Sequence, residues 1–385
     1  LNDHDDLRRD PLLAVLVGKN DPTGARRLRP RDQGLPLAGK STLNRLELTR
    51  AATAAADRYK KIAVDETAVS RCLVEIFLQA HPEPPAEIIL DLDATDDPVH
   101  GQQEGRFFHG YYRCYCYLPL YIFCGEFPLC ARLRPSNIDG AAGSVEELQN
   151  IVSRLREVWP DVKIVIRADS GFARESLMSW CEAQGVDYVL GLARNARLQR
   201  RVDAEMVEAE AEQQRTERAA RLFKDFSYRT LKTWSRSRRV VGKAEYLPGR
   251  ANPRFVVTSL SPDTWDARAL YEDLYCARGD MENRIKEQQL HLFADRTSTA
   301  TMAANQLRLW FSTMAYLLIQ ALRRLGLAGT EMARAQCQTI RLKLLKLGAQ
   351  VRVTVRKVWV SLASGSPYAD LFARVCARLA RAGPV

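Results

Sequence analysis

The sequence predicts a mixed α/β chain in which a sheet flanked by helices is interrupted by a β-rich insertion and preceded by a helical N-terminal region. Three observations carry that prediction. Two short apolar runs, IILDLDA (88–94) and VKIVIRAD (162–169), read as buried strands that each end in an acid. Between residues 86 and 194, strand-like and helix-like periods alternate, as layered α/β domains require. The alternation then stops at residues 226–250, where Arg and Lys are interleaved with aromatic and β-branched residues (FSYRTLKTWSRSRRVV), and PRFVVTSL (253–260) resumes the core pattern.

Taken in order, residues 1–80 carry LLAVLVG (12–18) and AVSRCLVEIFLQA (68–80) at helical spacing, separated by the Pro/Arg-rich DPTGARRLRPRD, and form an accessory helical region. HPEPPAE (81–87) is a turn-rich linker. Residues 86–194 make the first part of a core. In it FFHGYYRCYCYLPLYIFC (107–124) reads as two adjacent strands broken at Leu118–Pro119, since proline cannot donate to a ladder. SVEELQNIVSRLREVW (144–159) is an amphipathic helix whose Ser144 and Glu147 are spaced as a capping box. GFARESLMSWCEAQG (171–185) is a helix closed by glycine, and VDYVLGLA (186–193) a further strand. Residues 195–252 are a charged helical stretch followed by the basic, strand-rich insertion, in which Trp234 and Tyr246 among the cations suggest a surface for stacking on bases. Residues 253–326 return to the core with a long helix or helix pair, DTWDARALYEDLYCARGDMENRIKEQQLHL, and the apolar helix NQLRLWFSTMAYLLIQALRRLG (305–326). A basic helix/strand region, 327–385, closes the chain.

A chain of 385 residues with 46% hydrophobic content has room for two or three domains. Its 57 Lys plus Arg against 46 Asp plus Glu leave a charge of +11 that five His hardly modulate, which favours a polyanionic partner, nucleic acid first. No apolar run reaches the ~18 residues of a membrane span, and the first ten residues are polar, so a soluble, cytoplasmic protein with no membrane partner is expected. The nine Cys form no CxxC pair and are expected as reduced, packed thiols; Cys114, Cys116 and His109 fit no common zinc spacing. The chain begins with Leu rather than Met, as a fragment lacking upstream residues does.

Chemistry enters with the acids. Asp93 and Asp169 close two strands, and in α/β sheets ligand sites form just beyond strand ends. A third acid, Glu282, lies on a helix after the insertion. A single strand-end Asp is usually a cap or turn residue. Three such acids in a basic protein instead point to phosphoryl transfer, in which two Mg²⁺ ions ~3.5–4 Å apart clamp attacking and leaving oxygens and need several carboxylates to hold them. Asp91, Asp96 and Asp97 compete for the first position; Asp91 shares a strand face with Asp93 but lies deeper.

The blocks that contain these acids resemble a known family. IILDLDATDDPVHGQQEG is similar to the first catalytic block of DDE-type insertion-sequence transposases, and RADSGF to their second. YCARGDMENRIKEQQ resembles the Tyr-x2-Arg-x3-Glu-x6-Lys signature of one branch, with Tyr275, Arg278 and Glu282 in step. QEGRFFHGYYRCYCYLPLY and TIRLKLLKLGAQVRV extend the resemblance over nearly the whole chain, toward the insertion-sequence group numbered thirteen-eighty. The resemblance implies a ribonuclease-H-like core and a DNA transposase acting on the inverted repeats of a transposon and on target DNA, as a homodimer in the DNA complex. It also implies two Mg²⁺ ions, with Mn²⁺ as substitute, held by Asp93, Asp169 and Glu282. Tyr275 and Arg278 are then expected at DNA phosphates, although Arg278 also has Asp280 and Glu282 within reach for an ordinary ion pair. The signature Lys falls on Gln289, so Lys286, one turn after Glu282, is the candidate for that role. A ribonuclease-H-like nuclease without strand transfer, and a catalytically silent DNA-binding relative, are the alternatives; the latter is marked by a missing carboxylate, and none is missing here.

One further motif competes. GLPLAGKS (34–41) satisfies the phosphate-loop pattern GxxxxGK[ST], yet RRLRPRDQ precedes it in place of a buried strand, and Pro36 interrupts it. The segment from Ser41 reads instead as a capped helix start, and no nucleotide site is expected.

Overall fold

The computed structural model describes residues 4–49, 63–354 and 357–382. They fall into two compact units: Thr67–Gln289 with Asp295–Ser298, and Leu1–Glu66 with Leu290–Ala294 and Thr299–Val385.

The larger unit contains β1 (Glu87–Ala94), β2 (Asp97–Pro98), β3 (Phe107–His109), β4 (Cys114–Tyr117), β5 (Leu120–Cys124), β6 (Phe127–Arg132), β7 (Lys163–Ala168), β8 (Asp187–Leu192), β9 (Ala220–Tyr228), β10 (Arg238–Leu247), β11 (Arg250–Ala251) and β12 (Arg254–Thr258). Nine of these make one mixed sheet in the order β6-β5-β1-β7-β8-β12-β10-β11, with β9 also paired to β10. Only β1, β7 and β8 run parallel to one another. This is the helix-flanked mixed sheet that the sequence predicts, in the arrangement of a ribonuclease-H-like core. The β-rich insertion is edge-joined to that core: Phe255 of β12 registers with Leu192 of β8, and β10 pairs with β12 in turn.

Alternation along β1 divides two cores. Ile88, Leu90 and Leu92 pack with Phe77, Leu148, Leu155 and Met178 of helices Glu66–Ala80, Ser144–Val158 and Glu175–Gln184. Ile89 lies on the opposite face, with Val165, Val189 and Val256, beneath Leu270, Tyr271 and Leu274 of a helical run over 267–291. Asp91 and Asp93 share that second face by the period of two.

Four local expectations differ. β4 and β5 are not neighbours: β4 sits in a small sheet, β2-β4-β3, and β5 in the main one, because the chain switches sheets at Leu118, whose N–H bonds Arg134 instead. The capping box at Ser144 does not form, because Gly143 at φ 76° is the cap, Ser144 donates to the Ala141 carbonyl, and Arg132 takes Glu147 at 3.0 Å. Trp234 is only 4% exposed, edge-on to Tyr228 and under Arg238, so it is a core residue rather than a stacking platform. Cys72, Cys276 and Cys376 are exposed rather than packed, and all nine thiols are free.

The smaller unit is built on the helix Met302–Ala321, buried along most of its length, which explains why this part of the 253–326 segment clusters with the chain ends. Arg308 on it pairs with Glu47 at 3.2 Å. A hairpin of β13 (Ala349–Val353) and β14 (Val358–Leu362) and the helix Ala369–Ala382 complete the unit. The loop before the helix Lys40–Leu48 follows a short 3₁₀ turn, Pro30–Asp32, and no strand; Gly39 rather than Ser41 caps the helix. Among the described residues no helix is long and apolar enough to cross a membrane.

Candidate carboxylate site

β1 and β7 pair in parallel with Leu92 opposite Ala168, so Asp93 and Asp169 leave adjacent strands at the same end. That is the position where open α/β sheets place ligands. The Asp93 side chain is 16% exposed. Burial pushes its carboxyl up to about 6; Arg278 pulls it down, while Asp169 and Glu282 push it further up. Asp169 caps the 3₁₀ turn Ser170–Phe172 by accepting the Gly171 N–H at 2.8 Å, the ordinary role of such a residue.

Glu282 lies on Gly279–Lys286, the longer α-helical part of the 267–291 run. On either side the backbone is π-wound, over Leu270–Tyr275 and Glu287–His291, with a 3₁₀ turn at Cys276–Arg278. Irregular winding of this kind often marks functional sites because it re-aims side chains. Arg278 Nη2 donates to Glu282 at 2.6 Å, and its Nη1 stands 3.7 Å from Asp93. That Nη1 is buried without a hydrogen-bond acceptor. Of the two acids weighed as ordinary partners, Arg278 takes Glu282, and it reaches the strand-end acid as well.

Tyr275 packs its ring against Tyr271, and its hydroxyl closes over Gly191 of β8. A Cβ at position 191 would lie 2.5 Å from the Tyr275 oxygen and 2.9 Å from the Ser170 nitrogen, so a glycine is required for this approach. Lys286 is exposed, one turn beyond Glu282. Gln289, which stands where the signature has Lys, donates to the Asp96 carbonyl at 3.0 Å. Position 289 therefore touches the loop after Asp93.

The competing acids are used elsewhere. Asp91 is buried and receives Arg167 through both oxygens, at 2.5 and 2.8 Å, while Arg167 Nη1 donates to the Leu274 carbonyl at 2.6 Å. This fork ties β1 and β7 to the helical run that carries Arg278 and Glu282. Asp97 is 1% exposed with neither oxygen in a well-formed hydrogen bond. Burial pushes it up to about 7, with Thr297 pulling down and Asp295 and Asp96 adding repulsion. Arg167 and Gly191 are site residues that sequence patterns did not single out. Arg167 was legible as the residue two before Asp169 in an apolar strand, and Gly191 as a glycine inside one.

Asp169 and Glu282, the acids near Asp93, offer carboxylate oxygens, the type that hard divalent cations prefer. A buried carboxyl pushed to about 6 by burial and two neighbouring acids is a charge excess that a cation relieves. Among the described residues no three acids converge at metal-ligand spacing, and the Arg278 guanidinium lies within ion-pair reach of both Asp93 and Glu282. The residues thus fit a divalent ion in type and charge, with Arg278 in a cation's place.

The family model described as transposase DDE domain group 1 matches residues 1–384. No curated protein matches the chain.

Proposed function

Because the chain belongs to the transposases with a group 1 DDE domain, we propose that it cuts DNA at the ends of a mobile element and joins the freed 3′-hydroxyl to target DNA, with Asp93, Asp169 and Glu282 as its catalytic carboxylates. The observation that supports this reading is the single guanidinium of Arg278 spanning Asp93 and Glu282 beside the strand end that bears Asp169. The three acids would hold two Mg²⁺ ions, or Mn²⁺ as substitute, which when bound neutralise the attacking and leaving oxygens and activate water or the 3′-hydroxyl.

The chain's own residues do the rest. Asp93 lies on β1 and Asp169 directly follows the paired end of β7, so the sheet brings the two close. Arg278 leaves the acids for a DNA phosphate, its planar fork suiting that anion. Tyr275, its ring held by Tyr271, offers a hydroxyl at the same edge. Lys286, on the exposed side of the helix, meets the backbone farther along. Joining two ends together calls for two copies of the chain in the DNA complex.

The test is a cleavage and strand-transfer assay on the inverted repeats that flank the coding sequence, with Mg²⁺ or Mn²⁺. Asp93→Asn, Asp169→Asn and Glu282→Gln are each expected to abolish cleavage and keep DNA binding. Cleavage without joining of pre-cut ends identifies a nuclease, and a wild-type chain that binds but never cuts identifies a silent relative.

A further inference from the structure

The smaller unit contains a cavity of about 650 Å³ whose lining includes Arg8, Lys19, Arg27, Arg29, Arg31 and Lys40. Asp32 is the one acid that lines it. The neighbouring acids are committed: Asp10 caps the helix Pro11–Leu16, Asp21 accepts the Arg26 N–H at 2.7 Å, and Asp5 lies 3.8 Å from Lys40 on the exposed side. Arg8 and Arg27 are held in place by the fold. The Leu37 N–H bonds the Arg8 carbonyl, the Arg8 guanidinium lies against Gly39, and Arg27 donates to the Leu37 carbonyl. The Nε atoms of both are buried without an acceptor. Gathering like charges around a shared hollow costs free energy unless an anion enters it.

We infer that this cavity is a phosphate-binding pocket that grips the phosphodiester backbone of DNA. Arginine forks match phosphate oxygens in pairs, and the cavity holds four arginines. The lining contains no aromatic side chain on which a base would stack, and no strand leads into the 34–41 loop, so a backbone phosphate suits it better than a free nucleotide. None of its residues belongs to the carboxylate site. The inference rests on the proposed function for its choice of DNA over other phosphate carriers.

The experiment uses the full chain, with Arg29→Gln/Arg31→Gln as the cavity variant, since both side chains are exposed and their loss spares the fold. Affinity for duplex DNA is measured over a range of salt concentrations. Each phosphate contact adds about 0.9 to the slope of log affinity against log salt, so the variant is expected to flatten that slope by about 2 and to bind roughly tenfold more weakly at low salt. Arg215→Gln/Arg218→Gln, at the exposed C-terminal end of the helix Asp203–Thr216 in the larger unit, is the control for bulk charge. Equal slope changes in the two variants overturn the pocket, as does an unchanged slope in the cavity variant. Saturable ATP binding lost in the cavity variant with DNA affinity intact overturns DNA as the source of the phosphate. Cleavage is a separate readout: a chain that never cuts DNA but loses affinity in the cavity variant defeats the catalytic proposal and keeps this one.

Discussion

Arg278 donates to Glu282 at 2.6 Å across one helical turn, and so holds the third acid from its own helix. The same guanidinium draws the Asp93 carboxyl down against the burial that pushes it up. Arg278→Met removes the internal cation that competes for those acids. Calorimetric titration of the variant is expected to show tighter Mg²⁺ binding, and, if Arg278 meets a DNA phosphate as proposed, a single-turnover assay is expected to show cleavage at least tenfold slower. Weaker Mg²⁺ binding in the variant counts against the competition.

Arg167 presents its fork to Asp91 in a nearly dry setting, with side chains 8% and 3% exposed. Arg167→Met leaves Asp91 buried and unpaired, and urea unfolding is expected to show a loss of about 3–5 kcal/mol. The double variant Asp91→Leu/Arg167→Met is expected to recover most of that loss, since neither charge is then stranded. A double variant as unstable as the single one shows that the fork contributes by packing instead.

Gly191→Ala places a methyl against the Tyr275 hydroxyl and the backbone of Asp169 and Ser170. Overpacking of this sort costs about 1–3 kcal/mol. Adding Tyr275→Phe removes the closest contact and is expected to restore part of the stability, but not all, because the Ser170 nitrogen and the Asp169 carbonyl carbon cannot withdraw as a side chain can. Full recovery places the whole clash on the hydroxyl.

Asp97 supplies a pH test in the absence of metal. Its folded pKa, about 7, lies above its ordinary value of 3.8, so between those values the native chain binds the proton that the unfolded chain has released. Stability contributed by the neutral form is fully present below about pH 4 and lost as pH rises through about 7. Asp97→Asn keeps the shape without the charge, and is expected to flatten that decline and raise the melting temperature at pH 8. The gain there is at most about 4 kcal/mol from a shift of about three units. An equal decline with pH in the variant points to another group.

Much of this arrangement was legible in the residues themselves. The strand ends at Asp93 and Asp169 were readable as a pair: either aspartate alone reads as a cap or turn residue, which is also what Asp169 does here, and only their joint place on two buried strands of a basic chain singled them out. Glu282 was singled out by the spacing Tyr275, Arg278, Glu282 of the signature it resembles; the period of the helix alone did not mark it, and the run around it changes winding from π to 3₁₀ to α to π. What lay outside reach depended on pairing between distant strands. That Asp91 is engaged by Arg167 follows from the register of β1 against β7, which local propensity does not determine. Trp234 misled for a similar reason: its charged neighbours suggested solvent, while the pairing of β9 with β10 placed it inside. The capping box failed because Gly143, not Ser144, holds the cap position, while the Ser144 hydroxyl and the Glu147 carboxylate are taken by Ala141 and Arg132.

The two aspartates sit on neighbouring strands, whereas the glutamate arrives only after the chain has run out through β9 to β12 and back across the sheet. Synthesis proceeds from the N-terminus, and domains close as units. A nascent chain therefore holds two of the three acids for as long as it takes to make more than a hundred further residues. Any chemistry that needs all three is withheld from a prematurely terminated product.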